Sequence, residues 1–558
     1  TDYDNFQLTS QCPSSDEIAN ATIFFPDTTL TILGVSKFIV SDSLKIYGVP
    51  SNKKVVMGKN RNFTMSGQLV ASNYQFRGHD LKFDYNKFFV NVSPNDSITF
   101  TPKEKYTKGQ TGEVGAHVKY DKGGTFYLSD PQNKSGVQKT KKATPRLVVP
   151  DGMLVYFDQP ERGTLLYPKE VFFKIPKIDM DGLDNRDVIF EGTFNANGII
   201  PSFQTTLKSM PDNSLGFEHK LPATEMKIYG GKAIAKFTDT LSMDNNGLQS
   251  KGILKYLSAT MTAKHISLMS DSLKATGDIA NIKEATIGKG YFPAVELKDY
   301  SMEWFPEADS MYILTEGHSF SLYKGTTSLE GGLLLRSSGL YGNGLLKRAD
   351  SELNSPDIKF NKDGFIANKS SFAVKGEDKK VIKNILTGKN TNIDFNFKTS
   401  IATFNLDESG FNSDSSAMEI PSILYKTNIA SAKWDMLKKN ILIKGSGETS
   451  TYVATQPEQE GLTFQAADAL FNLENSTMSI RGVPYIQTVD VKIIPNKGMI
   501  DIANTGQMSA LKNARIEIET KNTAHHMRDA DVQIFSKNRF EGSATYQYIT
   551  ARKDTFNI

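Results

Sequence analysis

The sequence predicts an all-β fold of stacked antiparallel hairpins that form elongated repeat sheets, with a sandwich or an open β-groove in cross-section. Short runs rich in Val, Ile, Phe, Tyr and Thr are bounded by Asn, Asp, Gly or Pro every eight to twelve residues, which is typical of strands and turns. The 3.6-residue period of an amphipathic helix is almost absent. A fifteen-residue frame also occurs twice, which indicates a duplicated structural unit.

The two copies of this frame are LSMDNNGLQSKGILK at Leu241–Lys255 and LLLRSSGLYGNGLLK at Leu333–Lys347. They lie 92 residues apart, and the same offset aligns Asp271, Leu273 and Ala275 with Asp363, Phe365 and Ala367. We interpret the frame as a turn-and-strand module. Its glycines, at 247, 252, 339 and 344, are expected where strands turn or approach one another closely.

The distribution of strand-like runs predicts six segments. Residues 1–130 form an N-terminal β domain, and 131–150, within a region rich in Lys, Gly, Thr and Pro, form a linker or long loop. A β domain at 151–224 is followed by repeat unit 1 at 225–316 and repeat unit 2 at 317–408. The last segment, 409–558, is a stacked-hairpin β array.

Three stretches of the C-terminal array, 432–445, 467–482 and 490–502, each contain a strand pattern, a turn and a returning strand pattern. Each is predicted to be a hairpin of about a dozen residues. Residues 511–531 could form a helix, but Ile516, Ile518 and Thr520 alternate as in a strand. Hairpins cannot bury their apolar faces alone, so stacking is expected to supply the core.

Composition argues against a nucleic-acid partner, an intramolecular disulfide and a transmembrane helix. The net charge of +3 balances 65 basic against 62 acidic residues, so no nucleic-acid partner is expected. The basic cluster Lys139, Lys141, Lys142 and Arg146 is interpreted as a solvated loop. Cys12 is the only cysteine, which excludes an intramolecular disulfide. No apolar run approaches the ~20 residues of a transmembrane helix. A start at Thr1 suggests a processed product or a fragment.

The sequence contains no motif that assigns a catalytic, cofactor-binding or metal-binding residue. Gly230-Gly231-Lys232 lacks the other residues of a phosphate-binding loop and is interpreted as a turn. His525-His526 with Asp529 and Asp531 is the best metal candidate. Neighbouring side chains on a strand point to opposite faces, so both imidazoles join one site only in a loop. The alternative is a plain polar surface, and no metal or cofactor is predicted.

Glycoside hydrolysis needs only two carboxylates at a fixed separation and leaves no local motif. Glu303, next to Trp304 and Phe305, is the most site-like acid, because aromatic neighbours could raise its pKa and stack a sugar. The alternative is an exposed acid beside a core tryptophan. Phe395, Phe397 and Phe404 are interpreted as core, although an open groove would use the same residues for acyl chains.

Asp followed by Ser or Thr and then by an aliphatic residue, Met or Thr occurs repeatedly. The positions are Asp27-Thr28-Thr29, Asp42-Ser43-Leu44, Asp96-Ser97-Ile98, Asp239-Thr240-Leu241, Asp271-Ser272-Leu273 and Asp309-Ser310-Met311. The pattern resembles the O-glycosylation acceptor motif of secreted Bacteroidota proteins. Asp-Ser is also an ordinary turn opener, and both interpretations stay open.

Several longer stretches resemble the large signal-bearing β-repeat proteins of Bacteroidota envelopes. They include VYFDQPE, FEGTFNANGIIPSF, GLQSKGILKYL and ADALFNLENSTMSIRGVPYI. The hairpin run at 464–503 is similar in rhythm to OstA-like periplasmic bridge proteins, and the Gly-Leu frame is similar to AsmA-like lipid-bridge proteins. These resemblances imply secretion across the inner membrane to the periplasm or outer membrane, and they imply no activity.

The first functional hypothesis is a non-catalytic cell-envelope scaffold or binding protein whose partner is an envelope protein, a lipid or a glycan. A second is a β-groove that conducts lipid or lipopolysaccharide, which requires an apolar interior open along one side. The third is a glycan-active enzyme, which requires two acids in a cleft.

Overall fold

A computed structural model describes residues 7–11, 19–42, 44–71, 74–93, 97–100, 117–120, 123–140, 143–158, 167–181, 189–212, 214–378, 381–407, 418–445, 450–518, 525–550 and 552–558. The chain is all-β, as predicted. The described residues fall into two compact units. Unit 1 lies within Thr1–Tyr256, Thr262–Thr276 and Phe305–Glu307, and unit 2 lies within Leu257–Met261, Gly277–Trp304 and Ala308–Ile558.

The strands of the first part of the chain are β1 Gln7–Ser10, β2 Ala21–Phe24, β3 Thr29–Ile32, β4 Val35–Ser41, β5 Ile46–Pro50, β6 Val55–Met57, β7 Phe63–Ala71, β8 Tyr74–Asp84, β9 Phe89–Val92, β10 Ser97–Phe100, β11 His117–Tyr120, β12 Gly124–Tyr127, β13 Arg146–Val149, β14 Met153–Tyr156, β15 Phe172–Ile175, β16 Ile178–Met180, β17 Ile189–Asn195, β18 Phe203–Ser209, β19 Leu215–Lys220, β20 Met226–Ile228, β21 Ala233–Phe237, β22 Thr240–Asp244, β23 Gly247–Tyr256, β24 Ala259–Leu268 and β25 Leu273–Ile282.

The remaining strands are β26 Ala285–Ile287, β27 Gly290–Phe292, β28 Val295–Phe305, β29 Ser310–Thr315, β30 Phe320–Leu322, β31 Thr327–Arg336, β32 Gly339–Lys347, β33 Ser351–Asn361, β34 Gly364–Asp378, β35 Val381–Asn396, β36 Ile401–Leu406, β37 Met418–Ile420, β38 Tyr425–Thr427, β39 Ile429–Asp435, β40 Asn440–Gly445, β41 Ser450–Ala454, β42 Thr463–Ala466, β43 Asp468–Asn472, β44 Thr477–Arg481, β45 Ile486–Thr488, β46 Val491–Ile494, β47 Ile500–Ile502, β48 Leu511–Ile518, β49 His525–Ser536, β50 Arg539–Ile549 and β51 Thr555–Asn557.

Helical structure in the described residues is limited to short 3-10 turns, at Lys59–Arg61, Tyr229–Gly231, Pro457–Gln459 and Asn496–Gly498. None of the described helices is long and apolar enough to cross a membrane. Residues 511–518 form strand β48, as the alternation of Ile516 and Ile518 predicts. Strand β13 lies inside the predicted linker at 131–150 and pairs with β12 and β16.

Unit 1 contains two rows of antiparallel strands that share β7 and β8. One row runs β2, β3, β6, β7, β8, β9, β12, β13, β16. The other row starts β1, β4, β5, β7, β8, β10, β11, β14, β15. It continues through β17, β18, β19, β22 and β23. Strands close in sequence therefore alternate between two rows.

Unit 2 has the same plan. Strands β31 to β35 pair in sequence, and β35 then pairs with both β36 and β37. The first row continues β36, β39, β40, β43, β44, β47. The second row continues β37, β38, β41, β42, β45, β46, β48, β49. Each hairpin thus joins the row opposite the preceding hairpin.

Two of the three predicted C-terminal hairpins are confirmed. Strands β39 and β40 pair at 432–445, and β43 and β44 pair at 467–482. The third prediction, at 490–502, is wrong, because β46 pairs with β45 and β48 whereas β47 pairs with β44. Pro495 has no N–H for a ladder, and Lys497 and Gly498 have φ of 54° and 64°. The chain therefore turns out of one row and into the other.

Side chains on one face of each row form the core. Strand β41 alternates buried and half-buried residues, and β40 alternates in the same way, as expected when one face of a sheet packs on another sheet. Phe395 and Phe404 are each 3% exposed, which confirms them as core, whereas Phe397 is only half-buried. The rings of Phe365 and Phe395 stack at 5.1 Å, and those of Tyr452 and Phe464 at 5.5 Å.

Several described strands pair with two different strands along one edge, and we call three of them, in which a glycine lies at the division, branching strands. Strand β7 pairs with β5 and β6, strand β23 pairs with β21 and β22, and strand β31 pairs with β29 and β30. A glycine lies where each one divides: Gly67, Gly252 and Gly331. A Cβ atom at each position would lie 2.3 Å from a carbonyl oxygen of a neighbouring strand. Only glycine permits this approach.

The repeated frame is a hairpin in both copies, β22–β23 and β31–β32. Gly247 and Gly339 follow the turns with φ of +84° and +135°, which confirms their predicted placement. The equivalents of β21 and β22 are fused into one strand, β31, in the second copy. The branching strand is therefore the second strand of the hairpin in the first copy, β23, and the first strand of the hairpin in the second copy, β31.

Candidate functional site

The acid singled out from sequence for glycoside hydrolysis, Glu303, shares a face of its strand with half-buried Phe305 but not with Trp304. Glu303 and Trp304 are consecutive residues of β28, whose side chains alternate between two faces. Trp304 is 1% exposed and lies in the core, whereas Glu303 is half-buried. Trp304 therefore offers no ring for a sugar to stack on, and Glu303 corresponds to an acid beside a core tryptophan.

The metal candidate is only partly within the described residues, because nothing is described of the side chains of His525 and His526. Asp531 Oδ2 lies 2.9 Å from Lys512 Nζ, and this hydrogen bond lowers the pKa of Asp531. Among the residues that the structure describes, no group of three or more His, Cys, Asp or Glu is arranged to hold a metal ion. Lys512 therefore already neutralises one proposed ligand.

Two other sequence candidates are structural. Gly230 and Gly231 lie in the 3-10 turn before β21, which confirms the turn, and Lys232 pairs with Glu307 at 2.7 Å. The prediction of a solvated loop is wrong for Arg146, which lies in β13. Its Nε and Nη2 donate to the two carboxylate oxygens of Asp179 at 2.6 Å each. This bidentate bond raises the pKa of Arg146. Lys141, Lys142 and Cys12 lie outside the described residues.

Burial divides the four proposed glycan acceptors whose side chains are described, since Ser43 and the side chain of Ser97 lie outside the described part of the structure. Ser272 and Ser310 are 4% and 2% exposed, so they are not accessible to an enzyme in the folded protein. Thr28 and Thr240 are exposed. Asp27 Oδ1 accepts hydrogen bonds from the N–H and the hydroxyl of Thr29, and Asp239 Oδ1 accepts one from the N–H of Thr240. Asp27 and Thr28 lie in the turn between β2 and β3, and Asp239 lies in a bend directly before β22, so both exposed motifs also have an ordinary structural role.

The most site-like feature of the described surface lies on strands β32 to β35, where the ladders break register. The β32–β33 ladder shifts between Gly342 and Gly344, and the β34–β35 ladder shifts on either side of Ser370. Lys369 and Asn390 have φ of 50° and 51°, a left-handed conformation that costs about 1–2 kcal/mol for a residue with a Cβ. Such irregularities redirect side chains and are frequent beside functional sites.

Two adjoining depressions follow these irregularities, with volumes of about 320 and 650 Å³. Both are lined by Asn354, Ser371 and Lys389, so we treat them as one feature, the register trough. Asn343 and Lys369 line one part of the register trough, and Glu352 and Glu419 line the other. Its floor is a sheet and not a loop, so its side chains are held by the ladders around them.

The two carboxylates do not form a free pair. Glu352 Oε2 accepts a hydrogen bond from Lys375 Nζ at 2.5 Å, so this carboxylate is already engaged within the protein. Glycoside hydrolysis needs one acid that donates a proton and a second that acts as base or nucleophile. The arrangement is better suited to binding than to this reaction.

No protein-family model matches the chain, and no curated protein is significantly similar to it.

Proposed function

We propose that the chain is a non-catalytic scaffold or binding protein of the cell envelope, located in the periplasm or at the outer membrane. The observation that carries the proposal is the register trough: a polar surface depression built on consecutive strands of a packed array. A rigid sheet holds binding groups in fixed positions with little loss of entropy when a ligand docks. Among an envelope protein, a lipid and a glycan, this polar lining favours a glycan.

A lipid-conducting groove has less support. Its interior would have to present apolar side chains to an open side, yet Phe395, Phe404 and Phe464 are each 3% exposed. Their rings pack against other rings of the same unit. Surface binding requires no opening of this core.

Recovery from the native envelope tests the proposal. The protein is purified from fractionated cells and analysed by native mass spectrometry and by assay against labelled oligosaccharides. We expect it in the envelope fraction with a retained glycan or protein and with no turnover of the oligosaccharides. Recovery from the cytosol would contradict the location. Turnover that disappears in Glu352→Gln or Glu419→Gln would contradict the non-catalytic assignment.

A further inference from the structure

Two lysines of the register trough, Lys369 and Lys389, have no ion-pair partner among the described residues, and they outnumber its one unpaired carboxylate, Glu419. The side chains of Asn354, Lys369, Ser371 and Lys389 are exposed and make no hydrogen bond or ion pair with the described residues. Basic groups on the same strands differ, since Lys347 pairs with Glu330 and Lys375 with Glu352. Unpaired cations gathered in a concave surface attract an anion more strongly than isolated surface lysines do.

A fifth donor is oriented by the backbone. Asn343 Oδ1 accepts the N–H of Gly332 at 3.1 Å, so the amide acceptor is occupied and its NH₂ group remains as the donor. The backbone of Lys369 is also held, because its N–H donates to Asn392 Oδ1 at 3.1 Å. The donors are therefore presented by fixed strands and not by flexible loops.

We infer that the register trough binds an acidic oligosaccharide, with Lys369 and Lys389 at its carboxylate or phosphate and with Asn343, Asn354 and Ser371 at its hydroxyl groups. A ligand rich in acceptors matches a lining rich in donors. The donors lie on four side-by-side strands, β32 to β35, so an extended chain of sugars can contact several of them. This inference rests on the proposed binding function and names its ligand class.

Isothermal titration calorimetry of the full chain tests the inference. The probe is a tetrasaccharide of alternating glucuronate and N-acetylglucosamine, with neutral chitotetraose and inorganic phosphate as comparisons. We expect the acidic tetrasaccharide to bind at least tenfold more tightly than either comparison, since it alone offers both charge and hydroxyl groups. Binding should weaken as salt is raised. Equal affinity for chitotetraose, or for phosphate alone, would overturn the inference.

Matched lysine variants locate the site. Lys369→Met and Lys389→Met keep the apolar stem and remove the charge, and each is expected to weaken tetrasaccharide binding by about tenfold or more. Lys362→Met, at the exposed turn between β33 and β34 and outside the trough, should leave binding unchanged. Thermal unfolding of all three should match the parent chain. Unchanged affinity in both trough variants would overturn the inference.

A vesicle experiment separates the saccharide from a phospholipid head group. The chain is sedimented with vesicles of phosphatidylglycerol in phosphatidylcholine, and no co-sedimentation is expected. Co-sedimentation that is lost in Lys389→Met would overturn the inference in favour of a phospholipid. If the protein is recovered from the envelope but binds no acidic tetrasaccharide, the scaffold proposal stands and this inference fails.

Discussion

Two tyrosines hold equivalent turns in the two copies of the repeat. The hydroxyl of Tyr229 lies 2.8 Å from Met269 O and 2.5 Å from Ser272 O. The hydroxyl of Tyr323 lies 2.9 Å from Asn361 O and 2.6 Å from Gly364 O. These carbonyls are 92 residues apart in both cases. Burial raises the pKa of both phenols, which favours the neutral hydroxyl as donor.

Removal of either hydroxyl should destabilise the fold without disturbing the surface. We expect Tyr229→Phe and Tyr323→Phe each to lower the free energy of unfolding by about 1–3 kcal/mol, because a carbonyl oxygen loses its donor in a buried place. Urea unfolding followed by circular dichroism measures the change. Tyr485→Phe, at a position that is 41% exposed, is the matched control and should be neutral. Equal effects at all three positions would contradict this role.

Branching strands are elements at which two strands pair with one edge of a third. In β31, residues 327–329 pair with β30 and residues 332–335 pair with β29. Gly331, between them, has φ of +147°. Its backbone approaches β32 so closely that a Cβ atom would lie 2.3 Å from Asn343 O and 2.9 Å from Gly344 Cα. The branch therefore depends on the absence of a side chain at one position.

Gly331→Ala is expected to destabilise unit 2 by about 3 kcal/mol or more, since it combines backbone strain with overlap against a neighbouring strand. Gly317→Ala is a control on the same chain, because no atom lies within 4 Å of a Cβ there. Differential scanning calorimetry should show a lower Tm only for the first variant. A Tm shift of the same size in both variants would exclude the close approach as the cause.

Along the chain of unit 2, successive hairpins are added to the two rows in turn. Consecutive hairpins alternate between rows, and alternate side chains of both rows are buried. We therefore expect each pair of strands in one row to cover core side chains of the other. Stability is then a sum of contacts between neighbouring hairpins, as in other repeat proteins. The core side chains of both rows stay covered only if the two rows contain equal numbers of hairpins.

This alternation predicts that deletion of two hairpins is tolerated better than deletion of one. Removing 467–482 shortens the first row alone and exposes core side chains of the second row, such as Tyr452 and Phe464. Removing 450–482 takes one hairpin from each row and keeps them equal. We expect cooperative urea unfolding, with a smaller m-value, only for the longer deletion. A more stable protein after the shorter deletion would contradict the alternating arrangement.

Local patterns in the chain were sufficient to predict the all-β class and the hairpins at 432–445 and 467–482, since alternation and turn residues act over a few positions. They also located the glycines of the repeated frame. The row that a strand joins depends on partners far away in sequence. Residues 490–502 have the local pattern of a hairpin, but in the structure they cross from one row to the other.

The register trough had no signal of its own in the sequence. Lys369, Ser371 and Lys389 are ordinary residues in strand-like runs, and their neighbours on adjacent strands are set by ladder register. The left-handed backbone at Lys369 and Asn390 arises where several ladders shift together. Side-chain chemistry alone therefore predicted which segments form strands. Pairing between distant strands determined which donors share one surface, because register is the alignment of two strands and cannot be read from either segment alone.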